Sequence, residues 1–135
     1  MLELAVDQLI PVVLTDFQHP DAWRALVAVL TKDDAAPVEI YEDAACEGTG
    51  VDDLVAAMPG DPDKRPACFF IADGMSLTHP EHPLLAVSLD EDDEGRTFRI
   101  IPQQIPGVAA TLFIAHSDFF GYADAVDDDG IFRRF

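Results

Sequence analysis

The sequence predicts an α/β protein, a single mixed sheet with a β-α-β-α-β first half followed by antiparallel strands and a C-terminal helix. Three observations carry this. Apolar residues fall at i, i+3, i+4 and i+7 in two segments, Trp23, Leu26, Val27, Leu30 and Val51, Leu54, Val55, Met58, as one buried face of a helix requires. Two runs, Ala67 to Ala72 and Leu84 to Leu89, are apolar throughout and too short for a confident helix, as expected of strands covered on both faces. Strand-like and helix-like segments alternate through the first half, the order of parallel strands joined by right-handed crossovers.

The elements follow in order. Pro11 to Phe17, PVVLTDF, reads as the first strand. Pro20 suits the first position of the helix that follows, and Asp21 favours the positive end of its dipole. Val38 to Glu42 alternates with period two, a strand with one wet face. Thr49 is the expected cap of the second helix, with Asp52 three residues on as an acidic variant of the capping box, and Pro59-Gly60 ends it. Ala67 to Ala72 is the central strand and Leu84 to Leu89 the next. Thr97 to Ile101 alternates, and the turn-forming residues of DEDDEGR make the hairpin between these two strands. Thr111 to Ala115 reads as a last main strand, and Ser117 as the cap of a final helix from Asp118 to about Val126. The 135 residues read as one domain, 1–135, with no internal repeat or linker.

Charge is the main departure from an ordinary composition. Against 26 Asp and Glu stand 8 Lys and Arg, a net charge of -18. The excess is spread: residues 1–64 hold 14 acids and 3 bases, residues 65–135 hold 12 and 5. A field of this sign repels phosphate backbones and anionic membranes and attracts cationic partners, so direct nucleic-acid binding and membrane binding are not expected. Solubility alone also explains an acidic surface. Cys46 and Cys68 form no CxxC or metal-type spacing, and Cys68 sits in an apolar run. The N-terminus carries Glu3 and Asp7 and no basic start, and no apolar stretch reaches membrane-spanning length; a soluble, cytoplasmic, reduced protein is expected.

Most motif readings fail on inspection. With Gly130 as the sixth residue of a calcium loop, position one is Ala125 and position twelve lies past the chain end. With Gly95 as sixth, Asp90, Asp92 and Glu94 fit, but position twelve is Ile101 where a bidentate Glu is needed. A weak surface site for a divalent cation at 90–94 stays open, beside the plainer reading of a solvated hairpin tip. His79 and His82 flank Glu81, but Pro80 and Pro83 rule out a regular helix that would place both imidazoles on one face; a rigid proline turn is the simpler reading. Gly48-Thr49-Gly50 opens a helix as a nucleotide loop would, yet Asp52 and Asp53 stand where phosphates belong. His116, Ser117 and Asp118 are adjacent and cannot form a relay. No residue is assigned a catalytic or metal-binding role, and no cofactor is implied.

The LTDF opening followed by Trp23, the segment SLTHPEHPLLAVSL, the strand GRTFRIIP and the ending DFFGYADAVDDDGIFRRF resemble a family of short acidic bacterial proteins described as a domain of unknown function. The resemblance covers nearly the whole chain and is most specific at its end. It implies a stand-alone single-domain protein and carries over no site.

In that ending, three carboxylates meet the negative end of the final helix, an unfavourable placement. Gly130 lets the chain turn back, bringing Arg133 and Arg134 within reach of Asp127, Asp128 or Asp129, or of the terminal carboxylate, while Ile131, Phe132 and Phe135 pack on the core edge. The functional alternative is a patch that docks a partner. The leading functional expectation is accordingly a non-enzymatic interaction protein binding a basic partner, of immunity, inhibitor or DNA-mimic type. The residues offered to that partner are Asp90, Asp92, Asp93, Glu94, Asp127, Asp128 and Asp129, with Arg133 and Arg134 beside them. The alternative is a small enzyme or ligand-binding protein with its site at the C-terminal ends of the parallel strands.

Overall fold

In the computed structural model, residues 10–32, 38–42, 44–58, 68–89, 94–108 and 119–133 are described. Six strands, β1 (Ile10–Leu14), β2 (Val38–Tyr41), β3 (Cys68–Ala72), β4 (Leu84–Ser88), β5 (Thr97–Ile100) and β6 (Ile131–Phe132), form one mixed sheet in the order β2-β1-β3-β4-β5-β6. β1 pairs in parallel with both β2 and β3. β3 and β4, then β4 and β5, are antiparallel, and β6 is parallel to β5. Only β4 therefore runs against the other strands.

β1 and β3 are buried at every position. Each has a strand on both sides and a helical layer on both faces, which is why their sequences show no polar alternation. On one face, α1 (Pro20–Leu30) presents Trp23, Leu26 and Leu30 to Val12, Leu14, Phe70 and Ala72. α3 (Gly74–Thr78), a helical stretch at 105–108 and α4 (Phe119–Asp124) add Leu77, Ile105, Val108 and Tyr122 to the same cluster. On the other face, α2 (Val51–Ala57) and the 3-10 turn Ala44–Cys46 cover Val13, Phe69, Ile71 and Val87 with Leu54, Ala57, Met58 and Cys46. α1 and α2 lie on opposite faces because the chain moves outward from β1 to β2 and then back past β1 to β3. Right-handed crossovers in opposite directions require that arrangement.

Several boundaries differ from the sequence reading for identifiable reasons. β1 stops at Leu14 rather than Phe17: Thr15 N–H still bonds Ala72 O at 3.0 Å, and then Asp16 Oδ1 accepts from Gln18 N–H at 2.9 Å and turns the chain. Gly50, not Thr49, caps α2, with no side-chain cap bond, while Asp52 and Asp53 still occupy its first turn. β2 has no wet face; all four residues are half-buried, since Val38 and Ile40 pack into one cluster and Tyr41 into the other. α4 ends at Asp124 rather than near Val126, where Ala125 N–H tightens onto Tyr122 O at 3.1 Å. α3 and β6 are additions to the sequence reading, and β6 makes the last pairing parallel. The expected strand Thr111 to Ala115, the cap Ser117 and the tip Asp90 to Asp93 lie outside the described residues. The base of that hairpin is closed by Ser88 N–H to Arg96 O and Gly95 N–H to Ser88 O, both 2.9 Å.

Candidate functional site

The C-terminal ends of β1, β2, β3, β5 and β6 and the start of β4 share one edge of the sheet. Between β1 and β3 the strand order reverses, the topological position at which open α/β sheets usually place a site. The loops there are tied together. Thr15 bonds Ala72 O through its N–H at 3.0 Å and its hydroxyl at 3.4 Å, and Gly48 N–H bonds Thr15 O at 2.8 Å. The loops after β1 and β2 and the last residue of β3 thus meet at Thr15.

Asp73 follows β3 and caps α3. Its Oδ1 accepts from Ser76 N–H at 3.1 Å, and Ser76 Oγ accepts from Asp73 N–H at 3.2 Å, a reciprocal capping box. Arg99 reaches over the start of β4 and grips both Asp73 oxygens at 2.9 Å. Burial opposes ionisation of Asp73, but the hydrogen bonds and charge of Arg99, with the Ser76 bonds, outweigh it and hold the carboxyl below the ordinary aspartate range. The pair ties β5 to the β3 end across β4, and both side chains are mostly covered.

Asp16, after β1, faces Gly74, the first residue of α3. Its Oδ2 lies 3.8 Å from His19 Nε2. Glu42, after β2, accepts from Trp23 Nε1–H at 2.8 Å. Glu47, Asp52 and Asp53, in the loop and first turn that follow, are exposed and make no ion pair or side-chain hydrogen bond among the described residues.

The proline-flanked histidines do not converge. His79 Nδ1 accepts from Glu81 N–H at 3.0 Å. His82, at φ 52, sits in the left-handed region with Nδ1 2.9 Å from Ser76 O, a carbonyl that requires the proton on that nitrogen. Among the described residues no group of three or more His, Cys, Asp and Glu side chains is placed to hold a metal ion. Cys46 and Cys68 are buried, and burial pushes the Cys68 thiol up, far from a reactive thiolate.

At the chain's end, Arg133 is the hub. Its Nε and Nη2 hold Glu81 at 2.8 and 2.7 Å, Nη1 holds Asp127 at 2.7 Å, and Nη2 holds Asp129 at 2.7 Å. Gly130, at φ 80, makes the reversal, with its N–H on Asp127 O at 2.9 Å. Ile131 and Phe132 are buried, and Phe132 packs edge-on against Tyr122 and Phe98 with ring centroids 5.3 and 6.3 Å away. The hydrogen bonds of Arg133 hold Glu81 and Asp129 below their ordinary ranges and raise the guanidinium. Arg133 thus joins Asp127 and Asp129 in this ending, with Glu81, 52 residues away from Arg133, as a fourth member that the sequence did not single out. Asp128 and Glu94 are exposed; Arg134, Phe135, His116, Asp90, Asp92 and Asp93 lie outside the described residues.

Among the described residues no helix is long and apolar enough to cross a membrane. Residues 9–135 match the family described as Domain of unknown function (DUF6924), and the chain belongs to that family. No curated protein matches the chain.

Proposed function

We propose that this member of the DUF6924 family is a non-enzymatic interaction module that docks a basic protein on the C-terminal edge of its parallel strands. One observation carries the reading. The described arginines are already engaged: Arg24 with Asp21, Arg96 with Asp124, Arg99 with Asp73, and Arg133 with Glu81, Asp127 and Asp129. Among the described residues, the carboxylates of Glu47, Asp52 and Asp53 on this edge make no ion pair or side-chain hydrogen bond. Against a net charge of -18 they give a cationic surface something to meet. The patch of Asp127, Asp129 and Arg133 contributes less to docking than the sequence suggests, because its carboxylates already face a guanidinium.

The test is capture from a native extract on immobilised protein, washed at low and high salt, with wild type beside the triple variant Glu47→Lys, Asp52→Lys, Asp53→Lys. A basic protein retained in stoichiometric amount by wild type, released by salt and missed by the variant supports the reading. Equal retention by both moves the docking surface elsewhere. A second reading, a small ligand-binding protein or enzyme, is favoured by the strand-order reversal between β1 and β3, where Asp16 and Asp73 stand just past adjacent strand ends.

A further inference from the structure

We infer that the peptide link between Asp129 and Gly130 is a site of spontaneous isoaspartate formation, and that Arg133 is the residue that holds this reaction off. The inference is independent of what docks on the protein.

The turn itself creates the hazard. The chain has no asparagine and two Asp-Gly pairs, Asp73-Gly74 and Asp129-Gly130. Aspartate cyclises most readily before glycine, which has no side chain to shield its nitrogen. At 130 the backbone demands glycine, since φ is 80, and the space around it is open: a Cβ there would meet nothing within 4 Å. Asp129 Oδ1 accepts from Ile131 N–H at 3.2 Å, which folds the side chain forward over its own peptide link. The five atoms of the incipient ring are Cγ, Cβ, Cα and C of Asp129 and N of Gly130, and all belong to the loop that this bond closes.

The reaction has two requirements. Gly130 N attacks Asp129 Cγ and forms an N–C bond, while the carboxyl OH leaves with the amide proton as water. Solvent water then opens the cyclic imide at either carbonyl, restoring Asp129 or giving its β-linked isomer, so the net change is an isomerisation. The carboxyl must therefore be protonated, because a carboxylate has no OH to lose, and the amide must be free to give up its proton.

Both requirements are opposed here. Arg133 Nη2 donates to Asp129 Oδ2 at 2.7 Å and Nη1 to Oδ1 at 3.1 Å, which favours the ionised form. Gly130 N–H is spent on Asp127 O at 2.9 Å, and Arg133 Nη1 also holds the Asp127 carboxylate at 2.7 Å. Asp129 is 49% exposed, so burial does not stand in for the guanidinium. Asp73-Gly74 is the internal contrast. Asp73 reaches past its neighbour to cap Ser76 N–H, both its oxygens are on Arg99, and a Cβ on Gly74 would stand 3.1 Å from Asp16 Oδ2, so that pair is packed in.

The consequence falls on β6. The β-linked isomer adds one methylene to the main chain directly before that strand. The register that sets Arg99 N–H on Gly130 O at 3.1 Å and Ile101 N–H on Phe132 O at 3.2 Å would slip, displacing the buried Phe132.

The experiment ages the full chain at neutral pH and body temperature, wild type beside Arg133→Gln, Arg133→Lys and Glu81→Gln. Isoaspartate is located by proteolytic mapping with electron-transfer fragmentation. Wild type in urea should gain isoaspartate at 129, and native wild type should gain it severalfold more slowly. Native Arg133→Gln should gain it severalfold faster than native wild type, with 73 unchanged. Arg133→Lys, which keeps a cation beside the carboxylate, should fall between the two. Glu81→Gln loosens the same segment yet leaves Arg133 on Asp129, and should age as wild type does. A parallel rise at 73 in Arg133→Gln would reveal general loosening, and an equal rise at 129 in Glu81→Gln would make the turn rather than the guanidinium the guard; either overturns the inference. So does ageing of Arg133→Gln at the wild-type rate, or a urea-unfolded chain that gains no isoaspartate at 129.

Discussion

Arg99 and Arg133 both gather carboxylates at the same edge of the sheet, and their surroundings differ. Arg99 extends from a strand and meets a single aspartate in a bidentate pair with side chains 20% and 29% exposed. Arg133 lies one residue past a two-residue strand and divides itself among three carboxylates that are 42%, 58% and 49% exposed. Geometry at Arg99 fixes the relation of β3, α3 and β5. Geometry at Arg133 neutralises a patch and closes the chain end, while the apolar side chains beside it do the holding. Identical chemistry is therefore worth different amounts, because exposure sets how strongly water and salt compete.

The widest way to separate these roles is to remove residues 131–135. Ile131 and Phe132 leave the core along with Arg133, so the loss should exceed that of Phe132→Ala alone, itself about 3–5 kcal/mol by truncation of a buried aromatic. Urea denaturation monitored by Trp23 fluorescence measures both. Unchanged stability on truncation would mean that this segment serves docking rather than the fold.

Next comes Arg99→Met, which keeps the stem and deletes the charge. Asp73 would then lose two charge-assisted bonds in a mostly covered position, at a cost of about 1.5–3 kcal/mol. Adding Asp73→Asn should recover part of that loss, because no unpaired charge remains. A double variant no more stable than the sum of the single losses would show that the two residues act separately.

Acid should sharpen the same contrast. Asp73, Glu81 and Asp129 all titrate below their ordinary values of 3.8, 4.5 and 3.8 in the folded chain. The unfolded chain then binds more protons as pH falls. The contribution of these groups is complete above the ordinary values and is lost as pH drops through the lowered ones. Between neutral pH and about pH 5 they should add no slope. Below that, wild type should lose stability, and Arg99→Met should flatten the acid limb more than a substitution at Arg133.

The sequence displayed what periodicity can display. Trp23, Leu26 and Leu30 marked the buried stripe of α1, and the run Cys68–Ala72 marked a central strand, because burial on one stripe or on both faces leaves a pattern in neighbouring residues. It concealed what depends on distance along the chain. Arg99 and Asp73 are 26 residues apart, Arg133 and Glu81 are 52 apart, and nothing local marks either pair. α3 has five residues, with Ser76 where a capping box usually holds Glu or Gln, and β6 has two, too few for a period to show. Asp16 was read as part of the first strand, Pro11 to Phe17, whereas it follows β1 and turns the chain. Its relation to Gly74 arises when β1 and β3 become neighbours, a consequence of topology.

The smallest effect should come from Arg133→Gln. Every partner of Arg133 is exposed enough for water to replace it, and the Gly130 reversal and the buried Ile131 and Phe132 remain. The midpoint should fall less than in Arg99→Met, and the gap to wild type should narrow further as salt is raised, since screening weakens exposed pairs first. The variant also frees Glu81, Asp127 and Asp129 at once, making the edge more negative while leaving the fold in place. If docking follows total negative charge, Arg133→Gln should bind a basic partner faster at low salt. If docking follows the fixed carboxylates Glu47, Asp52 and Asp53, the association rate should rise only modestly and the dissociation rate should stay as in wild type. Measuring both rates thus separates a diffuse field from a defined seat, and a substitution nearly silent in stability becomes the more informative of the two arginine variants for function.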